Sequence, residues 1–438
     1  MSKGQKLYKK AKKIIPGGNQ LLSKRPEMFL PNLWPSYYQK SKGIKVWDLN
    51  GKVYNDFSIM SIGQCPLGYA FKDINNAVKK AIDKGSTSTL NSFEEFKLAE
   101  KLVDIHRGME SVRFSKTGGE ACAIAVRIAR AYTNKSIIVA SGYFGWHDWY
   151  LASNLKKGSL DNLLLPGLEP KGVPKELSGT CLTVDYGNTE QLQKVFKKYG
   201  KRIAAFIVEP QRNRKMNTKF LETARKLTKK NNSVLIYCEV SSGFRVKTGG
   251  LYTNYKINPD IVTLGKALGN GFPISAIMGN KDVMSAVQDS FISSSYWTER
   301  TGYVAGLKVI EVFEKFKIAN YLKKIGNYFD KQFKKMNDDL NLSFINRGLI
   351  SVPIINYNSG DTLLDRKIKT FITQEMLSKN YLVSNVLYLS LSHNKKNIDK
   401  YFERLYEILF KAKNNLNHEY LDSQIKDEVC HSDFKRLT

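Results

Sequence analysis

The chain has 438 residues, of which 42% are hydrophobic, so it can bury a large core and we expect two domains. No apolar run approaches the roughly 20 residues of a membrane span, no signal peptide is recognisable, and the five cysteines lack ligand spacing, so we expect a cytoplasmic protein without a metal site. The formal net charge of +29 comes from basic residues scattered over helical segments, which favours solvated faces over a nucleic-acid-binding or membrane-binding arm.

The first 60 residues are predicted to begin with a helix that ends at Ile15-Pro16-Gly17-Gly18. The stretch 46–54 then predicts a hairpin, because Asn50-Gly51 suits a type I′ turn. Helical stretches follow at 74–84 and 93–105, and an amphipathic helix is expected with Ala121, Ile124 and Ile128 on one face.

Four short apolar runs predict buried strands at 136–140, 203–208, 234–237 and 261–264, and helical stretches separate several of them. This alternation predicts an α/β fold with an open, mostly parallel sheet, which binds ligands at the carboxyl ends of its strands. Candidate site residues follow five separate segments, and their convergence predicts one site: Thr117–Glu120, Tyr143, Glu209, Cys238 and Lys266.

Two of these segments carry chemistry of their own. In Thr117-Gly118-Gly119-Glu120, glycines at a helix start expose backbone N–H groups to an anion, and the helix dipole favours negative charge there. Lys266 follows a buried strand and precedes a glycine-rich turn. Burial favours a neutral amine, which is a nucleophile for carbonyl groups, although a surface lysine just past a strand is the simpler interpretation of this position alone.

The rest of the chain is less informative. Residues 155–185 are predicted to form a variable surface excursion, and a long helical stretch is expected to reach about Asp339. From about Leu340 we predict a smaller α+β domain, with strands at 349–356 and 386–391 and a helix around 398–409. Residues 416–438 are polar and are predicted to form a loose tail.

Several motifs together resemble one family. They are PGG at 16–18, the hairpin ending at Asp56, TGGEA at 117–121, GYFGWHD at 142–148, Glu209-Pro210, EVSSGFR at 239–245 and NPDIVTLGKALGNGFP at 258–273. In combination they are similar to the class III aminotransferases that use pyridoxal 5′-phosphate (PLP), and most similar to glutamate-1-semialdehyde aminotransferase-like members, including those of surface-polysaccharide pathways. The resemblance covers about Ile15 to Lys411.

The resemblance implies a fold-type I architecture in a homodimer with shared active sites. Residues 61–315 would form the large PLP-binding domain, with a mostly parallel sheet flanked by helices. Residues 1–60 would pack with a small α+β domain at 316–415. Lys266 would carry PLP as an internal aldimine.

The resemblance also implies roles for other residues. Thr117, Gly118 and Gly119 would hold the phosphate, Tyr143 would stack on the PLP ring, and Glu209 would line the site. Ser295 would reach the phosphate of the partner subunit's cofactor, with Thr298 as the second choice. The stretch 19–43 lies where relatives bind substrate, so Lys24 and Arg25 would bind an anionic group, although a purely structural loop is equally compatible. For His147 we expect a structural, hydrogen-bonded role.

Three positions depart from the family pattern. Cys238 replaces the aspartate that pairs with the pyridine nitrogen and keeps the ring an electron sink. A thiol is a weak donor and no permanent anion. Glu239 is adjacent on a strand, so it should face the other side. Gly119 replaces a threonine and Phe144 replaces a histidine.

These features favour an aminotransferase that moves an amino group from a glutamate-like donor to a carbonyl of a small or sugar-derived, anionic acceptor through Lys266. Because Cys238 weakens the electron sink, a PLP-dependent aminomutase, epimerase or racemase is an alternative. A PLP-fold binding protein that has lost catalysis is a third hypothesis.

Overall fold

A computed structural model of the protein describes residues 1–155, 168–211 and 217–432. The chain divides into two compact units, one formed by Met1–Phe71 with Asn320–Thr438 and the other by Lys72–Ala319. Within the described ranges, no helix combines the length and the apolar character that crossing a membrane requires.

The strands are β1 Tyr38–Lys42, β2 Lys45–Asp48, β3 Val53–Phe57, β4 Ser111–Ser115, β5 Ile137–Ser141, β6 Cys181–Thr183, β7 Ile203–Val208, β8 Val234–Cys238, β9 Ile261–Leu264, β10 Ser275–Gly279, β11 Ile345–Leu349, β12 Val352–Asn356 and β13 Tyr381–Val383. The helices are Lys3–Ile14, Lys72–Asp83, Phe93–Ile105, Gly118–Thr133, Asp148–Leu151, Thr189–Tyr199, Thr218–Lys230, Lys281–Ser285, Thr301–Lys315, Ile318–Asp339, Thr362–Ser378, Lys395–Ala412 and His418–Gln424. A turn at Met60–Gly63 has left-handed backbone angles.

The unit Lys72–Ala319 is built on a seven-stranded sheet in the order β4-β10-β9-β8-β7-β5-β6. Neighbours from β9 to β6 pair in parallel, whereas β10 runs antiparallel to both β4 and β9. Every residue of β5, β7, β8 and β9 is buried, as expected for strands covered by helices on both faces. The predicted α/β fold with a mostly parallel sheet is confirmed.

One face of this sheet packs against the helix Gly118–Thr133. Its apolar residues recur at helical spacing and are buried with side chains of the central strands, such as Ile128 against the cluster that contains Ile207 and Ile236. This contact fixes where the helix begins, and so places its first turn at one edge of the sheet.

The other unit has a four-stranded sheet in the order β1-β2-β3-β13 and a separate β11-β12 hairpin. Its core is rich in aromatic side chains, and Phe57 stacks on Tyr401 with ring centroids 4.6 Å apart. The predicted hairpin is present, with Trp47 opposite Val53 and Gly51 at a φ of 82° in the turn.

Several predicted elements were wrong. Residues 386–391 form no strand, although Leu387 and Leu389 are buried and donate backbone hydrogen bonds to Pro353 and Ser351. The alternating burial of these residues resembles that of a strand. The strand that joins the four-stranded sheet is β13, which pairs with β3. The predicted helical stretch to about Asp339 is present as two helices, which are separated where Lys317 adopts a left-handed φ of 48°. The excursion at 155–185 contains strand β6, and its residues 156–167 lie outside the described residues.

The prediction of a loose tail from 416 was also wrong for the residues that the structure describes. The helix His418–Gln424 lies there, and Leu421 and Cys430 are fully buried. The Cys430 backbone N–H donates to Thr370 Oγ1 at 3.0 Å. Tyr420 and Ile425 pack against the same core as Leu421, and this apolar burial holds the segment against the unit. Residues 433–438 lie outside the described residues.

Candidate functional site

Four neighbouring strands end at one edge of the seven-stranded sheet. Because β5, β7, β8 and β9 are parallel, the residues that follow or close them lie at the same edge. The strand register pairs Ser141 with Val208, and Cys238 with Thr263. These strand ends bring together four predicted site residues, which are Tyr143, Glu209, Cys238 and Lys266.

The turn at Thr117 belongs to the same edge. Ser115, at the end of β4, pairs with Ser275 of β10, and the next residue of β10 pairs with Leu264. Thr117 caps the following helix: its Oγ1 accepts from the Glu120 N–H at 3.3 Å, and Glu120 Oε2 accepts from the Thr117 N–H at 2.7 Å. This reciprocal capping box fixes the first turn of the helix.

The two glycines of this turn leave donors free. Among the described residues, no group accepts a hydrogen bond from the backbone N–H of Gly118 or Gly119. A Cβ on Gly118 would lie 2.6 Å from Val240 Cγ1, and one on Gly119 would lie 3.2 Å from His147 Cε1. Glycine is therefore required at the first position and favoured at the second. Free N–H groups at the positive end of a helix suit an anion.

His147 lies beside this turn. Its ring stacks on Trp146 with centroids 4.6 Å apart, and burial lowers the pKa of the imidazole. Nδ1 is buried and makes no hydrogen bond to the residues that the structure describes. The hydrogen bond expected for a structural histidine is thus not made at Nδ1, and a polar atom beside the Gly119 turn is left without a protein partner.

Lys266 occupies a strained position. Its φ is 42°, in the left-handed region that non-glycine residues rarely adopt and that costs about 1–3 kcal/mol. The side chain is partly buried, and Nζ donates to Ser241 Oγ at 2.8 Å. The backbone conformation directs the lysine, and Ser241 holds its amine.

Tyr143 and Glu209 are joined directly. The Tyr143 backbone N–H donates to Glu209 Oε2 at 2.9 Å, and Glu209 is buried. Gly142 has a φ of 141°, and a Cβ there would lie 2.8 Å from Glu209 Oε2. The neighbouring Phe144, where the family pattern has histidine, is buried against Tyr150 and serves the core.

Cys238 is fully buried and faces a second thiol. Its Sγ lies 3.7 Å from Cys122 Sγ, which lies 4.0 Å from Thr263 Oγ1. The hydrogen bond with Cys238, together with burial, raises the pKa of the Cys122 thiol well above its ordinary value. At the end of β8 the chain therefore presents a pair of thiols.

Glu239 does not replace the missing carboxylate. Its oxygens accept from the backbone N–H groups of Leu251 and Tyr252, the latter at 2.8 Å. Burial raises the pKa of this carboxyl to about 7. The prediction that Glu239 faces away from Cys238 is confirmed.

Four predicted site residues remain, which are Ser295, Thr298, Lys24 and Arg25. Ser295 is exposed and opens a short 3-10 helix, and its hydroxyl makes no hydrogen bond to any described residue. Thr298 is exposed as well. Lys24 and Arg25 belong to the other unit, where Lys24 is exposed and the Arg25 guanidinium lies against Gly17. Their roles toward substrate stay predictions.

Sequence reasoning missed Ser241 and Cys122. Ser241 lies 25 residues from Lys266 in the chain, and Cys122 lies 116 residues from Cys238. Residue identity alone does not reveal contacts at such separations. The available indication was their position, since Ser241 lies inside the EVSSGFR motif at 239–245 and Cys122 lies one residue past TGGEA at 117–121.

Comparison with known proteins agrees with this geometry. The family model for class-III aminotransferases matches residues 31–352, which is well over half of the chain. A glutamate-1-semialdehyde 2,1-aminomutase from Nitrosopumilus maritimus is 31% identical, over 93% of this chain and 99% of the relative. A 3-aminobutyryl-CoA aminotransferase from Cloacimonas acidaminovorans is 28% identical, over 95% of this chain and 99% of the relative.

Solved structures share the fold. The internal aldimine form of the FumI protein from Sphingopyxis sp. MTA144 superposes with a TM-score of 0.85 at 23% identity, covering 95% of this chain and 99% of that protein. An omega-transaminase from Sphaerobacter thermophilus gives a TM-score of 0.82 at 20% identity, with 94% and 98% covered. The chain is therefore an enzyme of the class-III aminotransferase family, whose cofactor is pyridoxal 5′-phosphate.

Proposed function

We propose that this enzyme moves an amino group from a glutamate-like amino-acid donor to a carbonyl of a small or sugar-derived, anionic acceptor. One observation carries the proposal: Lys266 follows the end of β9, at the same sheet edge as the free N–H groups of Gly118 and Gly119. An amine nucleophile and an anion-binding turn at one edge match a phosphorylated aldehyde cofactor.

The residues at this edge fit PLP. The N–H groups of Gly118 and Gly119 would hold its phosphate, and Thr117 would fix the turn through its capping bonds. Tyr143 would cover the ring, while Glu209 positions Tyr143 through the 2.9 Å bond to its backbone N–H. When bound, PLP supplies an electron-accepting ring that eases removal of a proton from the amino-bearing carbon of the substrate.

Lys266 would be the general base that transfers the proton during the reaction. Its Nζ would hold the cofactor before the donor arrives and, once free, take the proton from the donor carbon and return it at the neighbouring position. Such a base must lie within hydrogen-bond reach of the carbon-bound proton. The partly buried position of Lys266 and its bond to Ser241 support a fixed amine.

The acceptor is proposed to carry negative charge. Lys24 is an exposed cation in a loop of 3-10 turns, and Arg25 is the next residue. A relative that is 28% identical is named for a CoA ester, a class of anionic substrates, which supports an anionic partner here without identifying it.

An aminomutase is the second candidate. Several relatives are named glutamate-1-semialdehyde 2,1-aminomutase, one of them 31% identical. The thiol pair of Cys122 and Cys238 stands where a carboxylate would strengthen the ring as an electron acceptor. A reaction that moves an amino group within one molecule is compatible with a PLP ring that accepts electrons less strongly.

We further propose a cytoplasmic homodimer in which Ser295 serves the partner subunit's cofactor. Two open clefts share Ser293 and Trp297, and they are bordered by large exposed apolar side chains. Phe96 and Phe291 have exposed fractions of 69% and 85%. Such a patch typically marks an interface. The five free cysteines support a reducing compartment.

The test is the first half of the reaction. Purified protein loaded with PLP is mixed with single amino donors, glutamate first, and the released 2-oxo acid is quantified. We expect about one 2-oxo acid per site from wild type and from Lys247→Ala, an exposed lysine in a nearby loop, and a loss of at least about 100-fold in Lys266→Ala.

Two results would contradict the proposed amino transfer. If no donor releases a 2-oxo acid from PLP-loaded protein, amino transfer is wrong. Conversion of an amino carbonyl compound to an isomer of equal mass, without 2-oxo acid, would establish the aminomutase instead.

A further inference from the structure

The amine of Lys266 has one hydrogen-bond partner among the described residues, and that partner is a serine hydroxyl. Nζ donates to Ser241 Oγ at 2.8 Å. Ser241 is only partly buried, so its hydroxyl does not need this bond for burial, since solvent could satisfy it. The bond between Ser241 and Lys266 therefore indicates a role for Ser241 in the site rather than in the stability of the core.

The backbone on both sides of Ser241 is firmly held. Val240 lies between two turns of the site: a Cβ on Gly118 would meet Val240 Cγ1 at 2.6 Å, and one on Gly265 would meet it at 3.4 Å. On the other side, the Gly243 backbone N–H donates to the Glu239 carbonyl at 2.8 Å, and the Arg245 N–H donates to the Ser242 carbonyl at 3.1 Å. Ser241 therefore presents its hydroxyl from a rigid segment.

Lys266 needs such support at its tip. Its left-handed φ of 42° fixes the root of the side chain, but four rotatable carbons separate the root from the amine. Holding a long side chain in one geometry costs conformational entropy, which a partner at the amine offsets. A serine hydroxyl both accepts and donates, so it can hydrogen-bond to Nζ whether the amine is charged or neutral.

We propose that Ser241 is a positioning residue that aims Lys266 Nζ at the aldehyde carbon of PLP. This inference rests on the proposed role of Lys266. In the attachment step the Nζ lone pair bonds to the aldehyde carbon, and the aldehyde oxygen leaves as water with both amine protons. The Ser241 hydroxyl accepts from the amine before attack and leaves the lone pair free for the carbon.

The experiment measures attachment rather than turnover. Full-length apoprotein is mixed with PLP, samples are reduced with borohydride over time, and mass spectrometry quantifies the adduct on Lys266. We expect Ser241→Ala to slow attachment about 3- to 10-fold, the usual effect of one lost hydrogen bond. Ser241→Thr, which keeps a hydroxyl, should restore the rate. Ser242→Ala is the matched control, because its hydroxyl contacts Glu239, and it should attach PLP at the wild-type rate.

A second measurement separates positioning from binding. In the Lys266→Ala background, PLP binds without attachment and its affinity is read from quenching of tryptophan fluorescence. Adding Ser241→Ala to this background should leave the affinity unchanged. A weaker affinity there would mean that Ser241 acts on PLP itself, which overturns the positioning role.

Three other outcomes would also overturn the inference. They are a wild-type attachment rate in Ser241→Ala, an equal slowing in Ser242→Ala, and no rescue by Ser241→Thr. If wild type forms no adduct on Lys266 at all, the proposed function of that lysine fails first, and this inference falls with it.

Discussion

The thiol of Cys238 lies 3.7 Å from the thiol of Cys122, at the end of the central strand β8. Both side chains are buried, with 3% and 1% of their surface exposed. A thiol pair cannot supply the fixed negative charge that a carboxylate would bring to a ring nitrogen. The nearby Glu239 is tied to Leu251 and Tyr252, so the chain offers no evident replacement in this segment.

Cys238→Asp should therefore raise the rate of 2-oxo acid release. A carboxylate there would keep the ring nitrogen protonated, and a charge-assisted hydrogen bond corresponds to a gain of about 10-fold or more. Cys238→Ser is the control of similar size without charge, and it should show no gain. The measurement is single-turnover release from glutamate. A slower Cys238→Asp enzyme would show that the thiol is suited to the native reaction.

Gly118→Ala should weaken PLP retention by about 10-fold or more. The new Cβ would lie 2.6 Å from Val240 Cγ1, a distance that forces the proposed phosphate-binding turn to move. Equilibrium dialysis of PLP measures the effect. The double variant Gly118→Ala/Val240→Ala removes the colliding methyl groups and should recover much of the affinity. Failure of this rescue would place the cause outside the contact between the two residues.

Phe291→Asp should dissociate the proposed homodimer. Phe291 is 85% exposed, and its backbone carbonyl accepts from Arg127 at 2.9 Å, so the apolar ring stands on a fixed segment. A charge at a buried interface position raises the dimer dissociation constant by about 10-fold or more. Analytical ultracentrifugation measures it, with Phe410→Asp as the control at an exposed phenylalanine of the other unit. Equal behaviour of the two variants would contradict the proposed interface.

Glu239 should make stability depend on pH. Burial raises its pKa from the ordinary 4.5 to about 7, so the folded state binds the proton more tightly than the unfolded chain. Its contribution is complete below about pH 4.5 and is lost as the pH rises through about 7. The loss is on the order of 3 kcal/mol.

Thermal unfolding detects this contribution. The midpoint of wild type minus that of Glu239→Gln should fall between about pH 5 and about pH 8. Glu222→Gln, at an exposed glutamate, should give a difference that does not change with pH. A difference for Glu239→Gln that rises with pH would mean that its folded pKa is lowered instead.

Sequence alone predicted the elements that depend on local pattern. Short, mainly apolar runs identified β5, β7, β8 and β9, and the spacing of Ile124 and Ile128 identified the helix after the glycine turn. The pattern failed where burial came from distant contacts. Leu387 and Leu389 alternate like a strand, yet they donate to Pro353 and Ser351 without forming a ladder of their own.

The sequence by itself determined that Lys266, the Thr117 turn, Tyr143 and Glu209 would follow strands of one mostly parallel sheet, because strand ends are a consequence of chain order and apolar length. Only the tertiary structure decided what each of them touches. Ser241 meets Lys266 and Cys122 meets Cys238 because separate segments are packed against the same sheet edge. Such contacts join residues that are far apart in the sequence, and a local sequence pattern carries no information about which distant residues meet.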